Sequence, residues 1–301
     1  MSARRLLVLF GHPGRGGFNE AALRGAERAA QAGQALRQEW IAANDATARA
    51  ERLAQLCATG PDLVIVHGGQ GDEPVAAVAP RYPRTQFAIT QGHHSAANVA
   101  SYEILQEHSA FLAGVLAGLR AGNGRAAHLS GERVRPGLKG RAAYADGVRR
   151  VTGQDPLTAF CGNQHDPALG AAWTRALAAR DARVLFAMMD GGREGVARDP
   201  QVYLASALAD SGLCVQRAAA DHAAGALAVG RVTRYGLEEA ASLRLVLNAK
   251  VCAEERRVLD EWAERLASGA TDIATDYAGA EFMLPAPSPT RHGHAAASNP
   301  W

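Results

Sequence analysis

Any chemistry in this chain would have to come from its loops. The first of them, HPGRGGFN at residues 12–19, follows the apolar run Leu6–Phe10. It is not a phosphate-cradling G-x-x-x-x-G-K-[ST] loop, and its glycines are not spaced G-x-G-x-x-G for a dinucleotide. His93 and His94 stand side by side. Adjacent residues rarely both point at one ion and no third ligand is evident, so hydrogen bonding, stacking or plain loop exposure is expected of them rather than metal binding. His292 and His294 lie in a Pro/Ala/Ser-rich stretch that reads as a solvated tail. His12, Ser130 and Asp190 can be assembled into a triad on paper, but ten histidines make accidental sets easy. There is no G-x-S-x-G elbow and no H-E-x-x-H pair, so no enzymatic activity is expected. The four cysteines, Cys57, Cys161, Cys214 and Cys252, form no C-x-x-C pair. They argue against zinc and read as small buried apolar residues, with disulfide pairing left open. Neither a cofactor nor a metal is expected.

Loops act together only if the elements between them bring them together. Leu6–Phe10, Arg37–Ala42, Leu63–Val66 and Gln86–Thr90 read as strands. Helices are expected from an Asn19 N-cap to Ala32, and over Thr47–Cys57, Glu73–Arg81 and Ile104–Leu119. The pattern then restarts. Strands are expected at Arg125–Gly131, Pro156–Cys161 and Val184–Met188, and helices at Gly137–Thr152 and Asp166–Arg180. Beyond these, a helix is read over Gln201–Asp210, a strand at Cys214–Ala218, a crossing strand within Gly225–Thr233 and a helix over Leu237–Leu247. Such alternation argues for parallel sheets flanked by helices, and two runs of it argue for two lobes. Ligands of parallel sheets sit outside the carboxyl ends of the strands. The informative residues are therefore 11–19, 67–72, 91–98, 130–139, 162–166 and 189–195.

Composition agrees. The 301 residues suit two lobes, each of ~100–150 residues. Hydrophobic residues make up 48% and charged residues 21%, with 32 Lys plus Arg against 30 Asp plus Glu. No basic block is present, so nucleic acid is not an implied partner. No stretch reaches the ~20 apolar residues of a membrane span. Leu6–Phe10 is shorter than the ~7–15 residues of a signal-peptide core. As written, the chain carries no export signal, so it is expected either to be cytoplasmic or to begin after a removed leader.

Two resemblances bear on function. LVLFGHPGRGGFNEAAL resembles the start of flavodoxin-like quinone reductases, where His-Pro and Phe-Asn-x-x-Leu hold flavin phosphate. That likeness is confined to the opening and leaves a second sheet unexplained. A longer ordered series, GGFNEAALRGAERA, PDLVIVHGG, YPRTQFAI, NVASYEILQEHSAFLAGVLAGL, GRAAHLSG, AYADGVRRV and DPALGAAWTRALAARDARVLFAMMDGG, resembles the basic-membrane-protein family of substrate-binding proteins, which includes purine-nucleoside receptors. This resemblance implies a type I periplasmic-binding-protein fold: α/β, with two Rossmann-like lobes of parallel sheet joined by a hinge and closing over a small ligand. Lobe 1 is expected to hold residues 1–122 and about 222–248, and lobe 2 residues 123–221 and about 249–283, with 284–301 a disordered tail. The expected partners are a nucleobase or nucleoside and, if the chain is exported, an ABC permease; the chain is expected to be a monomer. A cytosolic ligand sensor of the same fold is the alternative.

The nucleoside class of that family sandwiches the base between aromatic rings. It reads the base edge with a carboxylate and holds the ribose with acidic and basic side chains. On that pattern Phe18 is either a stacking ring or a hydrophobic staple for the first helix. Asn19 is a ligand contact, an N-cap, or both. Gly68 and Gly69 either admit the ligand close to the backbone or simply make a turn, and Gln70 and Asp72 could add polar contacts. The family's Phe-Ala-Ile-Ile-Asp becomes FAITQ here, so Gln91 stands where the base-reading Asp is expected. A carboxamide offers one donor and one acceptor, which suits adenine, xanthine or another amide-like heterocycle better than guanine. His93 follows as a hydrogen-bonding or stacking candidate. In the second lobe Met189 would form an apolar wall and Asp190 a polar contact. Asp221 and Arg234 match the family's ribose contacts loosely.

Overall fold

The computed structural model describes residues 5–11, 17–41, 45–189 and 202–284. Its largest element is a six-stranded, all-parallel sheet. The strands are β1 (Arg5–Phe10), β2 (Ala35–Trp40), β3 (Leu63–His67), β4 (Gln86–Thr90), β5 (Val99–Ile104) and β10 (Val232–Tyr235), in the order β10-β5-β4-β3-β1-β2. Alternate residues of β1 face opposite sides. Leu7 and Leu9 join Leu53, Leu56 and Val75 beneath helices α2 (Ala46–Cys57) and α3 (Asp72–Val78). Leu6, Val8 and Phe10 join Ala22, Ala26, Cys214 and Ala218 beneath α1 (Phe18–Gln31) and α7 (Gly212–Ala223). Covering both faces requires strands that are apolar throughout, and β3 is buried along its whole length. Each such Leu, Ile or Val contributes roughly 1.5–3 kcal/mol by leaving water.

The second body is built on α4 (Gln106–Ala121), which packs along α5 (Arg135–Thr152). A Cβ on Gly114 would stand 2.1 Å from the Tyr144 carbonyl oxygen, so the backbones meet where only glycine fits. Strands β6 (Arg125–Ser130), β7 (Leu157–Phe160) and β8 (Ala182–Met188) form a parallel sheet in the order β7-β6-β8, with α6 (Pro167–Ala178) against it. An antiparallel pair, β9 (Ala205–Ala209) with β11 (Leu243–Leu247), packs on α4, and α8 (Ala253–Ala267) closes the body. The chain leaves the large sheet after Ile104, returns with α7 and β10, and leaves again after Tyr235.

Four readings of the sequence are corrected. Within Gln201–Asp210 the described part contains strand β9, not a helix; its small residues gain their conformation from pairing with β11. Cys214–Ala218 is helical: Cys214, Val215, Ala218 and Ala219 form a buried stripe at helical spacing that a short window mistakes for a strand. Leu237–Leu247 is not a helix, since Leu243, Leu245 and Leu247 alternate along β11. Asn19 is not the N-cap, because Gly17 takes that position with φ 67°, a conformation glycine adopts freely, and α1 begins at Phe18. Strand β5 and helix α8 were not anticipated. All four cysteines are unpaired, with Cys57 and Cys214 buried. Among the described residues no helix is long and apolar enough to cross a membrane.

Candidate functional site

Because the six strands are parallel, their carboxyl ends share one edge of the sheet. His67 ends β3 there with its side chain wholly buried. Its Nδ1 lies 2.7 Å from the Thr90 Oγ1 on β4, and burial pushes the imidazole down to about 3. The Phe18 ring covers it, with centroids 4.0 Å apart and planes tilted by 31°. Phe18 nevertheless remains 42% exposed, an uncommon state for so large an apolar ring. It does not hold the staple position, since it follows the N-cap as the first residue of α1, and its ring rests against His67. Ser211 Oγ donates to the Phe18 carbonyl at 3.1 Å, tying α1 to the start of α7.

The adjoining loops are tightly fixed. Gly68 has φ 102°, and its N–H donates to the Thr90 carbonyl at 2.9 Å. A Cβ on Gly69 would lie 2.9 Å from the Gln91 carbonyl oxygen, so the two loops touch through their backbones. Gln91 is held in the left-handed region at φ 61°, a strained conformation for a side-chain-bearing residue. Its N–H donates to the Tyr102 carbonyl at 2.7 Å, and its Oε1 accepts from the Ile104 N–H at 3.3 Å. That donor fixes which end of the carboxamide faces the backbone. Asp72, at the start of α3, holds the rest of the loop. It accepts from the His93 and His94 N–H groups, each at 3.0 Å, and stands 2.7 Å from the His93 Nδ1. Asp72 therefore fixes the loop. The Asn19 amide lies beside Gly11, close to Gln70.

Phe18, Asn19, Gly68, Gly69, Gln91 and His93 thus sit on one edge, as the reading by strand ends requires. The remaining candidates are placed differently. Met189 is buried with Leu129, Trp173 and Leu177 in the core of the second body. Asp190 lies outside the described residues. Asp221 accepts from the Tyr102 hydroxyl at 2.8 Å. Its neighbour His222 reaches Gln86, the first residue of β4, at 2.7 Å, which puts the end of α7 toward the opposite edge of the sheet. Arg234 does lie near the tips, where its Nε is 3.2 Å from Glu103 Oε2.

Glu103, which the sequence did not single out, is the centre of a charged cluster between the two bodies. Its buried carboxylate also meets Lys139 Nζ at 3.0 Å and an Arg135 amino group at 3.4 Å, both from α5, while Lys139 pairs in addition with Glu107. The signal for Glu103 lay in recognising β5, whose penultimate residue it is. His67 was detectable as the single polar residue closing the apolar run LVIVH. No group of three or more His, Cys, Asp or Glu capable of holding a metal occurs among the described residues.

Comparison with known proteins places this arrangement in context. A family model described as ABC transporter substrate-binding protein PnrA-like matches residues 15–203. No curated protein matches the chain. Among solved structures, an ABC transporter solute-binding protein from Aeropyrum pernix K1 is 23% identical, with a TM-score of 0.76 over 90% of this chain and 93% of that one. An ABC transporter solute-binding protein from Conexibacter woesei is 21% identical, with a TM-score of 0.70 over 91% of this chain and 99% of that one. A transcriptional activator of the comK gene from Bacillus halodurans is 15% identical, with a TM-score of 0.72 over 89% and 99%. The fold is that of type I periplasmic-binding proteins.

Proposed function

The chain belongs to the PnrA-like family of ABC transporter substrate-binding proteins, and from that premise we propose that it captures an uncharged planar nitrogen heterocycle, a nucleobase or nucleoside, between its two bodies and releases it unchanged to an ABC permease. The half-exposed Phe18 ring at the strand tips carries this reading. A flat ring supported from behind and open in front is a stacking surface, and ring pairs of this kind are worth ~0.5–1.5 kcal/mol beyond their area. Gln91 stands on the same edge with its carboxamide oxygen engaged by the Ile104 N–H, which leaves the amide donor to serve a ring nitrogen or carbonyl. The mechanism is closure: a ligand that touches both bodies favours the state in which they approach, with no bond made or broken. The flavodoxin-like alternative accounts for one sheet only, whereas this chain devotes a second body with its own strands to the fold.

The test is a thermal-shift screen of purines, pyrimidines and their nucleosides beside sugars and amino acids. A ligand at a hundredfold excess over its Kd should stabilise the protein by about 2.7 kcal/mol. A shift produced by a sugar or an amino acid, with none from any heterocycle, would overturn the ligand class.

A further inference from the structure

Phe18 is the outermost member of a run of rings. Trp40 and Phe10 have centroids 4.7 Å apart, Phe10 and His67 6.3 Å, and His67 and Phe18 4.0 Å. His67 is the polar member of that run, and its polarity has a consequence for the proton on its ring. The Thr90 hydroxyl is fully buried and contacts His67 Nδ1. With the imidazole proton on Nδ1, two buried groups would be left over: the Thr90 hydroxyl hydrogen and the Nε2 lone pair. With the proton on Nε2, Thr90 donates to Nδ1 and one group remains, an Nε2–H that faces the Phe18 main chain without completing a well-formed hydrogen bond. Unsatisfied buried polar groups are unfavourable, so the second arrangement prevails.

We propose that His67, as the neutral Nε2–H tautomer, is a positioning residue: it fixes the tilt of the Phe18 ring and so presents that ring's open face to a flat ligand. The inference rests on the stacking reading of Phe18. Three features support it. The imidazole is anchored from behind by β4 through Thr90. Its face meets the Phe18 ring at stacking distance. The imidazole lies beside the main chain of Phe18, the first residue of α1. An aliphatic side chain would fill the same space without a flat face and would leave Phe18 free to rotate. Burial among Phe10, Phe18 and Thr90 keeps the ring uncharged.

Two measurements on the full chain test this. In long-range proton–nitrogen NMR with labelled histidine, H67Q identifies the His67 signals. They should show a protonated Nε2 and a bare Nδ1 between about pH 6 and 8, and F18L should displace them through loss of the ring current. A proton on Nδ1, a doubly protonated ring, or signals indifferent to F18L overturns the proposal. The second measurement is affinity for inosine. H67F retains a flat ring and should bind within about threefold of the natural protein, whereas H67A should bind about tenfold more weakly, with both variants folded by circular dichroism. Equal affinity in H67A and the natural protein contradicts the proposal. Failure of the natural protein to bind inosine or any other nucleoside defeats the stacking reading instead, and the NMR result still decides the tautomer and the Phe18 contact.

Discussion

In the six-stranded sheet, β3 and β5 are buried along their whole length, whereas in the second body β8 is half-buried along most of its course and β9 exposes two of its five residues. The first body is held by aliphatic side chains from two helical layers. The second relies more on aromatic and charged contacts. Tyr144 stacks on Phe186 with centroids 5.4 Å apart. Arg141 lies over Phe160 and Tyr277 at 5.0 and 4.9 Å and pairs with Glu281 at 3.0 Å. One face of the large sheet is covered by the nearby helices α2 and α3, but its other face and its β10 edge wait for α7 and β10, late in the chain. In the second body the three-stranded sheet is local, whereas the β9–β11 pair depends on a late partner in the same way.

Close helix contacts give the strongest probe of this difference. A Cβ on Gly25 would lie 2.2 Å from the Gly212 oxygen, joining α1 to α7, and one on Gly114 would lie 2.1 Å from the Tyr144 oxygen, joining α4 to α5. Gly25→Ala and Gly114→Ala should each cost about 3 kcal/mol in urea denaturation. A much smaller loss at Gly114 would show that the second body repacks more freely than the first.

Among the described residues each body also encloses a fully buried histidine, His67 in the first and His128 in the second, and burial pushes both down to about 3. Their folded-state values lie below the unfolded value, so the unfolded chain binds more protons as pH falls below the ordinary histidine range. Stability is therefore full near neutrality and declines in acid. Each should contribute a loss of about 2 kcal/mol between pH 7 and pH 5. His128→Leu should flatten the pH dependence by its own share, and an unchanged slope would contradict the assignment.

The Asp72 clasp should matter less for stability and more for binding. Asp72→Ala should lower stability by about 1.5 kcal/mol. It should also weaken ligand affinity about tenfold, as read by calorimetric titration, because Gly92–His94 would no longer hold Gln91 in place. The smallest effect is expected from the two left-handed residues other than glycine among those described, Gln91 at φ 61° and Asp181 at φ 63°. Asp181→Gly should raise stability by about 0.5 kcal/mol with binding intact. Gln91→Gly relieves the same strain but removes the Oε1 acceptor of the Ile104 N–H, so stability should change little while ligand affinity is lost. Equal binding in both would remove Gln91 from the site.

These contrasts also explain what the sequence disclosed. Leu63–His67 and Gln86–Thr90 were legible because continuous apolar runs bounded by turns leave few other readings. β5 was missed because residues 91–98 join two adjacent parallel strands without a helix, a connection organised by the Asp72 contacts and by the Asn98 amide, which points at the carbonyls of Ala79, Tyr82 and Thr85. β9 and β11 depend on each other across more than thirty residues, which no local window registers. At the site, strand-end logic located Phe18, the Gly68-Gly69 turn and Gln91. It did not show that Met189 would turn inward, or that Asp221 would lie near the end of α7, toward the far edge of the sheet.

The central claim is tested most directly by equilibrium dialysis of the nucleobase or nucleoside hit against the natural protein, Phe18→Ala and Gln91→Ala, with the ligand recovered and analysed afterwards. The account predicts saturable binding, affinity weakened at least about tenfold in each variant, and ligand recovered chemically unchanged. Unaltered affinity in both variants, or conversion of the ligand to product, would contradict it.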